Sequence, residues 1–88
     1  MIYPQINING THPDSLVDDY KEAYTALQNA IKALQKCMPH GRDYQINPAV
    51  YSDARQEHTD RIFAVSNVAA DIIDLGMNVL EQRIIKHD

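Results

Sequence analysis

Ile62-Phe63-Ala64-Val65-Ser66-Asn67-Val68-Ala69-Ala70-Asp71-Ile72-Ile73-Asp74-Leu75-Gly76-Met77-Asn78-Val79-Leu80 is the stretch on which the fold turns. Ile62, Val65, Ala69, Ile72, Ile73 and Leu80 recur at helical spacing and make one stripe. Phe63, Val68, Ala70, Leu75, Met77 and, further on, Ile84 fall outside it. One partner helix cannot cover both sets. Gly76 costs about 1 kcal/mol relative to alanine in a helix interior, so it marks either a break or a close approach of another helix, the second being favoured.

Upstream, Asn47 is placed to cap this helix and Pro48 suits its first position, so helix two is read as 48–86. Helix one is read as 11–38. It starts at the cap Thr11 with Pro13 and Asp14 in the first turn, and it closes at Met38 before Pro39. Leu16, Tyr20, Tyr24, Leu27, Ile31 and Leu34 form its apolar face, widened by Val17, Ala23 and Ala30. Asp18, Asp19, Lys21, Glu22, Gln28, Asn29, Lys32 and Gln35 form a solvated one. A loop at 39–47 is short enough to return the chain antiparallel. Residues 1–10 alternate weakly around Ile6 and Ile8 and end at the turn pair Asn9-Gly10, as a short extended arm would. Such an arm must lie on the helices, pair with another chain or stay loose.

The fold class is therefore all-α: a single domain over 1–88, built as an antiparallel two-helix hairpin with a short extended N-terminal arm. At 1.5 Å per residue helix two would run about 58 Å against about 39 Å for helix one. The surplus length and the surplus apolar surface demand another layer of helix, so a helical bundle completed by oligomerisation is expected. A chain of 88 residues buries only about 60 % of its unfolded surface, which points the same way. Disulfides offer no support, since Cys37 is the single cysteine.

The net charge of −4, from 12 acidic and 8 basic residues, argues against wholesale nucleic-acid binding. The start Met1-Ile2-Tyr3-Pro4 lacks the pattern of a signal peptide, and no run of 18 apolar residues exists to span a bilayer, so a cytoplasmic protein without a membrane partner is expected.

Candidate chemistry gathers around the loop. Arg42 and Tyr44 lie within it, and Arg55, His58 and Arg61 follow at intervals of three along helix two. Arginine forks, an imidazole and a tyrosine ring are the groups that hold a phosphate and stack a base, so a nucleotide-like anion is the ligand class these five residues would take. A structural reading stands beside it. Asp43, Asp53, Glu57 and Asp60 are near enough in sequence to pair with the arginines, and His58 shares heptad register with Val65 and Ile72, where a hydrogen-bonded core histidine is ordinary. Cys37 and His40 have metal-like spacing without the further ligands zinc needs, and no glycine-rich phosphate loop or nucleophile context appears. Neither metal, cofactor nor enzymatic activity is expected.

Ile6-Asn7-Ile8-Asn9-Gly10-Thr11, Pro39-His40-Gly41-Arg42-Asp43-Tyr44 and Ala54-Arg55-Gln56-Glu57-His58 resemble stretches of small helical proteins encoded by tailed bacteriophages and prophages. Those relatives often carry a second aromatic after the Gly-Arg-Asp-Tyr loop, where this chain has Gln45. The resemblance implies a phage origin, a two-helix fold and the bacterial host cytoplasm; it brings no catalytic residues. Small helical phage oligomers commonly antagonise bacterial defence by sequestering a nucleotide signal or covering a host protein, and others are accessory parts of the particle. Two functions follow as expectations: a non-enzymatic sequestering protein for a nucleotide-like immune signal, or a protein interaction module.

Overall fold

The computed structural model of the chain describes residues 1–86, and they form two antiparallel helices with no strand among them. Helix α1 spans Pro13–Lys36 and helix α2 spans Tyr51–Lys86. Between them lie two 3-10 turns, Gly41–Tyr44 and Pro48–Val50. Three contacts set the register: Asp14 pairs with Arg83, Tyr20 meets Gly76, and the Leu34 carbonyl meets His58. α1 therefore covers α2 from residue 58 to residue 83, and the first two turns of α2 project beyond it.

α2 ends at Lys86 as expected, and the other three helix ends depart from expectation by two or three residues, each for a local reason. His12, not Thr11, caps α1, its Nδ1 accepting the Asp14 backbone N–H at 3.1 Å. α1 stops at Lys36, not residue 38, because Pro39 drives Met38 out of helical geometry. The last turn tightens, with the Cys37 N–H donating to the Leu34 carbonyl and the Met38 N–H to that of Gln35. Asn47 gives no side-chain cap; its backbone carbonyl accepts the Val50 N–H at 3.3 Å, and Pro48 opens a 3-10 turn, so α2 proper begins at Tyr51.

α2 runs unbroken through Gly76. A Cβ there would lie 3.2 Å from Tyr20 Cβ, so the glycine serves the close approach of α1. The buried register of α2 starts at His58 and passes Ile62, Val65, Ala69 and Ile72 to Gly76 and Val79, in steps of four and three. Val79 and Ala69 of this register, with Val17 of α1, are the most enclosed apolar side chains. Two of these differ from the sequence reading: Val79 and Val17 take the central places assigned to Leu80 and Leu16, and Ile73, assigned to the covered stripe, is 46 % exposed. The antiparallel crossing at Gly76 rotates α2 so that Val79 points at α1.

The arm lies on the helices. Gln82 clamps it, donating from Nε2 to the Pro4 carbonyl at 2.7 Å and accepting the Ile6 N–H on Oε1 at 3.0 Å. The Tyr3 hydroxyl donates to Asp74 at 2.7 Å. Asn7 closes the turn before α1, its side-chain oxygen accepting the Asn9 N–H and its carbonyl the Gly10 N–H. α2 is thus flanked by α1 on one side and the arm on another. Its third side is open.

The result is a rod of 64 × 20 × 19 Å with a radius of gyration of 19.1 Å, against about 12 Å for a compact chain of this length. It exposes 6660 Å², where a compact monomer of 10.0 kDa exposes about 5,200 Å².

Candidate functional site

The five residues singled out around the loop separate into two groups and two free arms. Tyr44, half-buried, sets its ring against that of Tyr51, with centroids 5.9 Å apart and planes tilted by 35°. The Gly41–Tyr44 turn makes this possible: the Asp43 N–H bonds back to the His40 carbonyl at 3.0 Å, which curls the loop over the start of α2. Arg42 and Arg55 are exposed and make no ion pair among the described residues.

His58 and Arg61 form the second group. His58 is 6 % exposed. Its Nε2 lies 2.6 Å from the Leu34 carbonyl, which can only accept, so Nε2 carries the proton. Its Nδ1 faces the Arg61 guanidinium at 3.4 Å as acceptor, and Arg61 pairs with Glu57 at 3.6 Å. Both ring nitrogens are occupied within the fold. The imidazole ties the Leu34 carbonyl, which also accepts the Cys37 N–H, to the side of α2 and so fastens the end of α1 there. Cys37 belongs to the same knot, its thiol donating to the Leu34 carbonyl at 3.3 Å and lying 3.8 Å from His58 Nε2. Among the described residues no three His, Cys, Asp or Glu side chains gather as metal ligands would.

The concave surfaces lie toward the other end. A hollow of about 390 Å³ opens between the arm and the start of α1, beside Ile6, Ile8, His12 and Arg83. A groove of about 240 Å³ runs between the helices, walled by Val17, Tyr20, Lys21 and Tyr24 from α1 and by Ile73, Gly76 and Met77 from α2. The groove continues onto the open side of α2. From Phe63 that side passes Ser66, Ala70, Ile73 and Met77 and, beyond half-buried Leu80, reaches Ile84, again in steps of three and four. Phe63 is 63 % exposed, Met77 60 % and Ile84 58 %. The sequence reading found this excess of apolar residues but not its register, which lies one residue along from the buried one and was legible as a second heptad in the same helix. Val68 projects from the opposite flank, so it belongs to neither seam.

By length and composition alone α2 would also suffice to cross a membrane, which is weak evidence for or against a membrane setting. Asp71 and Asp74 interrupt its apolar half.

The chain matches no protein-family model, no curated protein and no solved structure.

Proposed function

We propose that the chain is a non-enzymatic protein interaction module whose working surface is the open face of α2 together with the adjoining groove. The observation that carries this reading is the second heptad seam, with Phe63, Met77 and Ile84 each more than half exposed along one side of α2. Side chains of that size in that spacing are what one helix offers another. The same surface supports completion of the hairpin as a helical bundle by association. Of the two functional classes, sequestration of a nucleotide-like signal has less support, because His58 is committed to the end of α1 and to Arg61, leaving Arg42, Tyr44 and Arg55 to hold an anion. The phage resemblance supports a setting in the bacterial cytoplasm, as a protein that covers a host defence component or serves the particle.

The test is photo-crosslinking in the producing cell, with p-benzoylphenylalanine in place of Met77 or, as control, of exposed Ala64. The reading expects a discrete protein adduct from position 77 and none from position 64. Equal or absent adducts at the two positions would overturn it.

A further inference from the structure

The open face accepts a specific occupant, and we infer that it is a second copy of this chain, aligned parallel to the first, with α2 against α2 about a two-fold axis along the rod. The inference rests on the interaction reading above and names the partner. Three observations lead to it.

The first is area. The rod exposes 6660 Å², about 1,400 Å² more than a compact monomer of its mass, and a stable interface buries about 800 Å² on each partner. The surplus therefore suffices for one interface of ordinary size.

The second is the division of apolar surface between the helices. α2 is apolar toward α1 and again toward the groove, whereas the groove edge of α1 carries Lys21 among its aromatic rings and turns polar beyond Tyr24 at Gln28. A neighbour that packs on α2 and touches only the edge of α1 meets these demands. An arrangement that sets α1 against a second α1 does not.

The third is charge, and it fixes direction. One flank of the seam carries Glu81 and Asp74, the latter accepting the Tyr3 hydroxyl of the arm, and the other is bounded by the α1 edge with Lys21 level with Gly76. In a parallel pair each flank meets the opposite flank of its partner, and position 76 of one helix sits beside position 81 of the other, the pairing that joins the residues flanking a heptad seam. Lys21 then faces the second copy's Glu81, twice by symmetry. In an antiparallel pair each flank meets itself, acids against acids. The parallel pair brings the two Gly41–Tyr44 turns to one end of the bundle, which duplicates Arg42 and Arg55 there.

Cysteine cross-linking of the full chain in a Cys37→Ser background, with diamide as the thiol oxidant, tests the arrangement. Ser66→Cys is expected to give a covalent dimer with itself, and sedimentation equilibrium of the uncrosslinked chain is expected to give twice the chain mass. Lys21→Glu should weaken the dimer roughly tenfold, and adding Glu81→Lys should restore it to within about threefold, with helicity by circular dichroism unchanged throughout. Cross-linking of Ser66→Cys only to a Met77→Cys chain would overturn the parallel direction, as would a charge reversal that the second substitution worsens. A purified chain that stays monomeric at 100 µM would also overturn the pairing, where about 100 µM lies far above the dissociation constant of a standard interface. If position 77 still forms adducts with another protein in cells, only the self-pairing falls; if it forms none, both readings fall together.

Discussion

Replacing His58 with alanine separates a structural from a ligand-binding histidine. The substitution removes the Nε2 donor from the Leu34 carbonyl and the acceptor from Arg61. That carbonyl keeps the Cys37 N–H at 3.2 Å, so it is not orphaned. The lost hydrogen bond is then worth about 1–1.5 kcal/mol, the upper part of the range for neutral groups. Deleting a ring that is 6 % exposed leaves a hole as well, and for a ring smaller than phenylalanine's about 1.5–2 kcal/mol is appropriate. Together the loss is about 2.5–3.5 kcal/mol, which lowers Tm by about 10–28 °C in a domain of this size. Thermal and urea unfolding followed by circular dichroism measure it, with hydrogen exchange at Cys37 and Met38 reporting the end of α1. Cys37→Ala is the control, since its exposed thiol is a weak donor to the same carbonyl, and about 0.5 kcal/mol or less is expected. A stability loss for His58→Ala below about 0.5 kcal/mol, with exchange unchanged, would refute the assignment.

Further predictions concern the arm, the helix crossing and the loop. The Tyr3 hydroxyl donates to Asp74, which raises its pKa above the ordinary 10.0 by favouring the neutral phenol. The contact is therefore fully present below pH 10 and is lost as pH rises through the higher folded value, so proteolytic nicking of residues 1–6 should increase only in that alkaline range and should increase at neutral pH in Tyr3→Phe. At the crossing, Gly76→Val drives a branched side chain into Tyr20 from a Cβ already 3.2 Å from Tyr20 Cβ. About 2 kcal/mol or more of destabilisation by urea titration is expected, and an unchanged midpoint would deny the close approach. Around the loop, Arg42→Ala and Arg55→Ala should each change stability by less than about 1 kcal/mol, since neither makes an ion pair among the described residues. A loss of nucleotide binding of about 1.5–3 kcal/mol in either variant, read by calorimetry, would return the function to the sequestering class.

The helical hairpin was legible because both helices carry long apolar periodicities between proline and polar punctuation, and that signal survives without tertiary information. Gly76 was legible for a similar reason, as a residue too costly inside a helix to lack a neighbour. The N-terminal cap was misread because Thr11 and His12 both carry acceptors, and only the entry angle of the chain chooses between them. Val79 was hidden because rotation about the α2 axis depends on where α1 crosses, a non-local quantity. The candidate site suffered most. Arg42, Tyr44, Arg55, His58 and Arg61 are close in sequence, but successive turns of α2 carry His58 inward toward Leu34 while Arg55 stays in solvent. Sequence proximity does not tell which side of a helix its neighbour will occupy.

The fastening of the arm by Gln82 has a kinetic meaning. Tyr3 to Asp74, Ile6 to Gln82 and Pro4 to Gln82 join residues 71, 76 and 78 positions apart, whereas Leu34 and His58 are 24 apart. The entropy of closing a loop grows with its length, so the hairpin nucleates around the short connection and the two ends of the chain meet late. Contacts absent from the transition state act on the rate of opening and not on the rate of closing. Gln82→Ala should therefore accelerate unfolding, by about fivefold to thirtyfold for the roughly 1–2 kcal/mol carried by its bonds to the arm, and leave the folding limb of the chevron where it was. Gln82 thus works as a latch: it sets how long the molecule stays shut and has no part in how fast it closes.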